Sequence, residues 1–384
     1  MTARSGLIQS YINTNPLKRM VTDRILLIEP YDIVAYSYLG TDMGKFNFTN
    51  RENYTYEWLE DTFNDRTDTV ATGLASDSTT TTCTITTAAL FQPGDVWLFG
   101  TEQVWVSAIS ASVITITRGF GSTTAATHAD ASACTRVSRA RPEGDDADDS
   151  PSTEVSTNYN YTQILQRSVD VSRSREKIAD YGVASWTNYL IDKYMKELMM
   201  DLARLPYYGK RYAGTSSVAR YAGGLRTFIT DNLTYATSTA ATGGTAQALT
   251  RDHIDDTLQN IHADGGDPSL ILTGAHAQRK INDMYEGYVT TERSESLGGV
   301  LIKNLMNPIT GKTLEVVVDR NCPTNEFWIL DTGQIAYYPF DPFFYEELGK
   351  TGDTASKGQV VGEYGFTVAY DKSHGAVLEF STSA

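Results

Sequence analysis

One long amphipathic helix constrains the fold of this chain more than any other segment. Apolar side chains recur every four residues along residues 183–205, and a second set widens the stripe: Trp186, Leu190, Tyr194, Leu198 and Leu202, with Ile191, Met195 and Met199. This spacing predicts a helix of about 23 residues, about 35 Å long at the usual rise per residue. Pro206 follows directly and is predicted to end the helix.

Residues 41–72 show a different pattern, with aromatic side chains on one alternating phase: Phe46, Phe48, Tyr54, Tyr56 and Trp58. A period of two predicts strands with one apolar face. An isolated two-stranded arm cannot bury such a face by itself. Packing of the five rings on a neighbouring copy would contribute on the order of 10 kcal/mol before the entropy of ordering the arm. The alternative is that the rings pack inside their own domain.

The composition changes over residues 73–140, where Thr and Ser dominate and lysine is absent. Short β-branched or aromatic runs, such as "DVWLFG" and "SVITITRG", are separated by glycine or small polar residues. This pattern predicts a small antiparallel barrel or sandwich. Its distinct character ends at the acidic stretch 143–149, which is typical of an inserted module.

Two glycine motifs imitate phosphate-binding loops. In "RGFGSTTAATH" (118–128), Thr124 stands where a dinucleotide fingerprint has its third glycine, and no helix is predicted to follow. In "GKT" (311–313), Met306 stands where a P-loop has its first glycine, and a strand follows. We therefore predict tight turns between strands at both places.

The second half of the chain alternates predicted helices and strands. Thr250 is predicted to cap a helix that ends at Gly265. Further elements are predicted in order along the chain: a strand at 269–273, a helix at 275–285, strands at 312–319 and 326–331, and a closing hairpin at 362–380 that turns at 371–374.

Net charge and cysteine usage exclude several classes of protein. The formal net charge is −15 and no long basic run occurs, which disfavours a sequence-reading DNA binder. Cys83, Cys134 and Cys322 are too widely spaced to suggest a disulfide framework or a zinc site. No apolar run approaches the roughly 20 residues of a membrane span, and the N-terminal sequence lacks the apolar core of a signal peptide. We expect a cytosolic origin and no membrane partner.

Motifs for catalysis are likewise missing from the sequence. There is no G-x-S-x-G elbow, and the five histidines include no i,i+4 metal pair. The run "DDADD" (145–149) lacks the spaced ligands and the glycine of a calcium loop. We expect no catalytic residue, no metal and no cofactor, and hence a protein that is not an enzyme.

The order of these parts resembles the major capsid proteins of tailed phages, which have the Hong Kong 97-type fold. Several stretches are similar to members of that family with an inserted β-module: "YEWLEDTF" (56–63), "NYTQILQRSVDVSRS" (160–174), "YMKELMMDLARLPYYG" (194–209) and "VVVDRNCPTNEFWILD" (316–331). The resemblance covers residues 40–384 approximately, and it implies an α+β fold.

The resemblance also implies a division of the chain into parts: an N-terminal arm (1–40), an E-loop (41–72 and 141–160), an inserted β-barrel-like module (73–140), a peripheral domain with the long spine helix (161–214 and 346–384), and an axial domain (215–345).

Three sets of residues are candidates for contacts between copies. The aromatic row Phe46, Phe48, Tyr54, Tyr56 and Trp58 would lie on the E-loop. Arg136, Arg139 and Arg141 stand beside Asp145 and Asp146, and these charges either pair between subunits or form a solvated local cluster. Some capsids of this fold crosslink their subunits through a lysine on the E-loop, and Lys45 is the only lysine between residues 19 and 176.

The function that the resemblance implies is that of a bacteriophage major head protein. Its copies would self-assemble as hexamers and pentamers into an icosahedral virion capsid around double-stranded DNA, without reading its sequence. Expected partners are a portal, and scaffold, protease or decoration proteins. Two alternatives stay open: another phage structural or decoration protein, and a hydrolase that uses carboxylates of the α/β region.

Overall fold

The computed structural model describes residues 31–41, 46, 53–74, 80–139, 143–144, 153–178, 183–239, 241–285, 303–349 and 355–382. The chain divides into two compact units. Unit 1 comprises the described parts of Met1–Trp58 and Asn158–Ala384, and unit 2 those of Leu59–Thr157.

Among the described residues, the helices are α1 (Val34–Leu39), α2 (Arg173–Lys177), α3 (Trp186–Tyr208), α4 (Leu225–Phe228), α5 (Arg251–Ala263) and α6 (Ala275–Tyr285). The first strands are β1 (Thr55–Glu60), β2 (Thr67–Thr69), β3 (Thr82–Thr84), β4 (Asp95–Phe99), β5 (Glu102–Ser110), β6 (Val113–Thr117), β7 (Ala133–Arg139) and β8 (Ser156–Tyr161). The remaining strands are β9 (Gln163–Ser172), β10 (Leu233–Tyr235), β11 (Leu270–Thr273), β12 (Asn304–Met306), β13 (Thr313–Val318), β14 (Glu326–Leu330), β15 (Ile335–Glu347), β16 (Ala355–Val368) and β17 (Gly375–Leu378).

The predicted long helix is confirmed as α3, but its predicted end is wrong. The helix continues through Pro206 to Tyr208. Proline has no backbone N–H, so Pro206 cannot donate to the carbonyl of Leu202 one turn earlier. The hydroxyl of Tyr337 donates to that oxygen instead, at 3.4 Å. The helix tolerates the proline because it lies in the last turn and its missing hydrogen bond is replaced.

The C-terminal end of the expected N-terminal arm (1–40) is helical rather than extended, because α1 forms there. Ala35 and Leu39 lie four residues apart, on one face of the helix, and both are fully buried. The backbone N–H of Ala35 also donates to the carboxylate of Asp319 at 3.3 Å. Burial of this face stabilises a short helix where the sequence pattern alone shows no helical period. Residues 1–30 lie outside the described part of the chain.

A six-stranded sheet lies at the centre of unit 1, in the order β10-β17-β14-β11-β13-β12. The strands β11, β14 and β17 are buried at every position. Alternate side chains of β14 face two cores: Phe327 and Ile329 pack with the apolar side chains of α5 and α6, whereas Trp328 and Leu330 pack with those of α3. Coverage of both faces explains why these strands are continuous apolar runs.

A three-stranded antiparallel sheet, in the order β15-β16-β9, carries the long helix. Leu198 of α3 is buried against Val169 and Val171 of β9 and Val360 of β16. The apolar stripe predicted on the long helix is therefore the face that packs on this sheet.

The closing hairpin predicted around residues 371–374 is wrong. β16 pairs with β9 and β15, whereas β17 lies between β10 and β14 in the other sheet of unit 1. Tyr370 has a left-handed backbone (φ 51°), and the turn Asp371–Ser373 directs the chain from one sheet to the other. A strand buried at all four positions, as β17 is, belongs to the interior of a sheet rather than to a hairpin.

A buried histidine follows this turn. His374 is fully buried; its Nδ1 accepts a hydrogen bond from the backbone N–H of Asp331 at 3.1 Å, so Nε2 carries the proton toward the carbonyl of Ala369, also at 3.1 Å. Burial lowers the pKa of His374 from 6.5 to about 4, and the hydrogen bond to Ala369 opposes this only in part. The neutral ring is therefore the form that the fold accepts.

We expect His374 to make unit 1 less stable as the pH falls from about 6.5 to about 4. In this window the unfolded chain binds a proton that the folded chain rejects, which corresponds to about 3 kcal/mol. Urea unfolding at pH 7 and pH 4.5 measures the loss. His374→Gln should show a smaller pH dependence, whereas His262→Gln, at an exposed position of α5, should behave as the unmodified chain does. An unchanged pH dependence in His374→Gln would contradict the assignment.

Unit 2 contains a six-stranded antiparallel sheet in the order β2-β7-β4-β5-β6-β3. A bridge between Val70 and Ile85 joins the end of β2 to the end of β3, so the sheet closes on itself as a barrel. Its interior is filled by apolar side chains, and the rings of Phe91 and Trp97 stack there with centroids 3.9 Å apart. The turn-rich stretch of small residues is therefore antiparallel sheet, as its composition predicts.

Candidate interaction surface

Two residues of the aromatic row pack inside their own chain. Tyr56 and Trp58 are each 6% exposed. The Tyr56 ring lies 4.8 Å from that of Tyr338, and its hydroxyl donates to the carbonyl of Phe366 at 2.9 Å. The Trp58 ring lies 5.5 Å from that of Phe228. The expectation that a neighbouring copy covers these two rings is therefore wrong, because the core of unit 1 covers them.

The other members of the row differ from these two. Phe46 is partly buried against the same core. Tyr54 is 49% exposed. Phe48, together with the crosslink candidate Lys45, lies outside the described residues.

Tyr54 belongs to a partly exposed surface of alternating rings and arginines. It stacks on Tyr161 with centroids 6.3 Å apart, and Tyr161 meets Tyr159 edge to face at 5.8 Å. The guanidinium of Arg220 lies 5.1 Å from the Tyr54 ring, and that of Arg211 lies 4.1 Å from the Tyr159 ring. We call these five residues the Tyr/Arg surface. Tyrosine and arginine are enriched where proteins bind proteins.

Sequence reasoning missed this surface, although part of its signal was present. The run "NYNY" (158–161) places two tyrosines on one face of a strand, and "YYGKRYAG" (207–214) supplies an arginine. The two runs lie about 50 residues apart, so only the fold shows that Arg211 reaches Tyr159.

A second exposed feature is the segment 59–65, "LEDTFND", which begins with the last two residues of β1 and lies in unit 2. Phe63 is 100% exposed and Leu59 is 71% exposed. Three carboxylates, those of Glu60, Asp61 and Asp65, lie on the same segment. We call it the acidic-aromatic segment. Large apolar side chains that a chain leaves fully in water often mark a contact with another molecule.

Unit 1 has a cavity of about 550 Å³ beside the end of α3. Its aromatic and basic lining includes Tyr208, Tyr221, Arg204 and Arg320. Tyr208 is 56% exposed; burial of its hydroxyl raises its pKa, and the nearby charge of Arg204 opposes that rise.

The glycine-rich loop 118–128 does surround an anion, and the anion is a carboxylate of the same chain. Glu102 is completely buried. Arg118 donates to both of its oxygens, at 2.7 and 2.8 Å, and the backbone N–H groups of Gly119 and Ala126 donate at 3.0 and 3.1 Å. The Nε2 atom of His128 lies 2.9 Å from Oε2. The carboxylate of Glu102 thus fills the loop. This explains why a loop with two glycines need not bind a nucleotide phosphate here.

The electrostatics of Glu102 follow from these contacts. Burial by itself would raise the pKa of the carboxyl, but the hydrogen bonds from Arg118, Ala126, His128 and Gly119 outweigh burial and lower the pKa to about 2. Glu102 is therefore ionised at neutral pH and holds the loop closed. The tight turn needs its glycines: Gly119 and Gly121 both have left-handed backbones, with φ of 64° and 65°.

The candidate ion pairs are only partly placed by the structure. Arg139 pairs with the buried Asp95 of its own chain at 3.5 Å, so this arginine already has an intrachain partner. Arg136 lies on β7 beside it. Arg141, Asp145 and Asp146 lie outside the described residues.

Two remaining sequence features take simple structural forms. The "GKT" motif forms the turn between the antiparallel strands β12 and β13, and Gly311 has the left-handed backbone (φ 71°) that this turn requires. The tight turn between strands predicted there is confirmed. Over the described residues, no group of three His, Cys, Asp or Glu side chains is arranged to hold a metal ion. No helix in the described part is both long and apolar enough to cross a membrane.

Two solved capsid structures share this fold over nearly the whole chain. The capsid protein of Cyanophage A-1(L) is 14% identical with a TM-score of 0.52, and the match covers 97% of this chain and 99% of the other. The capsid protein of a native GTA particle is 9% identical with a TM-score of 0.53, over 98% and 100% of the two chains. No match was found among curated proteins. The α+β fold of Hong Kong 97-type capsid proteins, which the sequence predicts, is thus confirmed.

The chain therefore has the fold of these capsid chains. The model of the SU10 major capsid protein family matches residues 7–381, and the chain belongs to this family. It is a major capsid protein of a bacteriophage head shell. Its place is the virion, and its role as a homo-oligomeric building block is structural.

Proposed function

We propose that copies of this chain form rings of six and five that tile an icosahedral shell around double-stranded DNA. The observation that carries the proposal is the match to a major capsid protein family over residues 7–381. Identical subunits that use unlike surfaces for contact close into rings when the rotation between them permits it. The Tyr/Arg surface and the acidic-aromatic segment are two unlike surfaces of this kind.

The net negative charge of the chain supports the proposal that the shell encloses DNA without binding it tightly. A net charge of −15 gives a surface that repels phosphates on average, so DNA inside the shell would stay free to leave. The proposal therefore includes no sequence-specific DNA contact.

The division of the chain into N-arm, E-loop, inserted module, peripheral domain and axial domain is part of the same proposal. β1 and β8 form a two-stranded sheet, which supports an arm built from the two sides of the proposed E-loop. We further propose assembly in the host cytoplasm, with a portal and with scaffold, protease or decoration proteins as partners. Any crosslinking through Lys45 would appear on denaturing gels of mature particles as bands above the 42.3 kDa monomer.

Electron microscopy of the purified full-length chain tests the proposal. We expect rings of six and five copies, or closed icosahedral particles, and in virions a copy number that makes this chain the most abundant protein by mass. A few copies per virion would instead favour the decoration-protein alternative. A monomer at all concentrations, with hydrolytic activity, would contradict the proposal.

A further inference from the structure

We infer that Phe63 of one copy inserts into the cavity beside α3 of a second copy, where the carboxylates of the acidic-aromatic segment face Arg204 and Arg320. The inference rests on the proposed shell function and deepens it, because it names both sides of one contact between copies.

The acidic-aromatic segment has the properties of an inserted part. Phe63 is fully exposed, so its own unit does not cover it. A phenylalanine side chain can remove about 150–250 Å² from water when it is buried. Leu59, on the same segment, adds a second uncovered apolar side chain.

The cavity has the properties of a receiving site. Its volume of about 550 Å³ lies within the range of about 300–1,000 Å³ at which pockets enclose a ligand. Its lining offers the apolar side chain of Leu165 and the rings of Tyr208 and Tyr221 to an aromatic group. An aromatic side chain that enters can therefore contact these apolar and aromatic groups, beside the polar side chains of Gln163 and Asn321.

Charge selects the acidic-aromatic segment as the occupant. Arg204 and Arg320 both line the cavity and are exposed, and in the described part of the chain neither has a carboxylate within ion-pair distance. The one acid in the lining, Asp201, pairs with Arg167 at 3.4 Å. In a chain with a net charge of −15, copies repel each other on average. A basic cavity that meets a segment with three carboxylates reverses this repulsion locally and fixes the orientation of the contact.

A photo-crosslinking residue at position 63 tests the contact directly in the full-length chain. Particles are assembled from equal amounts of isotope-labelled and unlabelled copies, and crosslinked peptides are identified by mass spectrometry. We expect crosslinks between copies that join position 63 to residues 204–208, 221 or 320–321. Crosslinks from assembled particles that fall only elsewhere, or only within one copy, would overturn the inference and leave the proposed shell function intact.

Charge exchange provides a second, independent test. Arg320→Asp and Phe63→Ser should each raise the protein concentration needed for assembly at least tenfold, which corresponds to about 1.4 kcal/mol. Adding Asp65→Arg to Arg320→Asp should lower that concentration again. The matched control is Phe120→Ser, at a phenylalanine of the same unit that is 37% exposed and should assemble normally.

All the changed side chains are exposed, so each variant should fold. Thermal unfolding of each variant checks this. Normal assembly of Arg320→Asp or Phe63→Ser would overturn the inference. If the unmodified chain forms no rings or particles under any condition, the proposed function fails and the inference fails with it.

Discussion

Glu102→Gln is expected to remove a large part of the stability of unit 2 while unit 1 keeps its own stability. The substitution removes the negative charge from a carboxylate that is 0% exposed and leaves Arg118, with a side chain 1% exposed, without its ion-pair partner. Removal of one partner from a buried pair costs about 3–5 kcal/mol. Since a whole domain is usually stable by only about 5–15 kcal/mol, this is a large part of the stability of unit 2.

Hydrogen exchange and limited proteolysis of the full-length chain measure this effect region by region. Loss of protection should be confined to residues 59–157, and above all to strands β5 and β6 and the loop 118–128. The matched control is Glu143→Gln, which removes an exposed carboxylate of the same unit and should change little. If Glu102→Gln retains the protection of the unmodified chain, the loop does not depend on this carboxylate.

The same carboxylate predicts an acid-sensitive module. The folded pKa of Glu102 is about 2, against an ordinary value of 4.5. The stabilisation is therefore complete above about pH 4.5 and is lost as the pH falls toward 2, because the unfolded chain binds the proton first. The Glu102→Gln chain cannot show this dependence, so the difference between the two unfolding curves isolates it.

Trp58→Ala is expected to destabilise the folded subunit by about 3–5 kcal/mol, the usual cost of truncating a buried aromatic side chain. The Trp58 ring packs against Phe228 and Tyr56 in the core of unit 1. Chemical unfolding of the unassembled chain measures the effect without any contribution from contacts between copies.

Tyr54→Ala is the control from the same aromatic row. Tyr54 is half exposed, so its truncation should leave the stability of the single chain nearly unchanged. If Trp58→Ala and Tyr54→Ala unfold alike, and only shell stability falls, then a neighbouring copy covers Trp58 after all.

Periodicity predicted elements well and predicted their surroundings poorly. The stripe of α3 and the runs of β11, β13 and β14 identify these elements, because a side-chain period depends only on local geometry. The row that contains Tyr56 and Trp58 shows equally well that one face of a strand is apolar. It does not show what covers that face, because the covering residue Phe228 lies 170 residues further along the chain.

Long-range partners also explain what the sequence missed in unit 2. Motif spacing argues against a nucleotide at residues 118–128, and in the structure the carboxylate of Glu102 occupies this loop. Glu102 is one of 47 acidic residues, and nothing in its local sequence sets it apart. The prediction of a final hairpin is wrong for a similar reason. A turn signal at residues 371–374 shows that the chain bends, but it does not show that the next strand joins a different sheet.

The pairing of β1 with β8 makes unit 2 an exchangeable part of the subunit. The chain enters unit 2 within β1 and leaves it within β8, and these two strands are hydrogen-bonded neighbours. A foreign domain whose own termini lie close together could replace residues 59–157 without any change in the path of the remaining backbone. The head shell thus has a natural grafting position, at which evolution or an engineer can exchange what each copy displays.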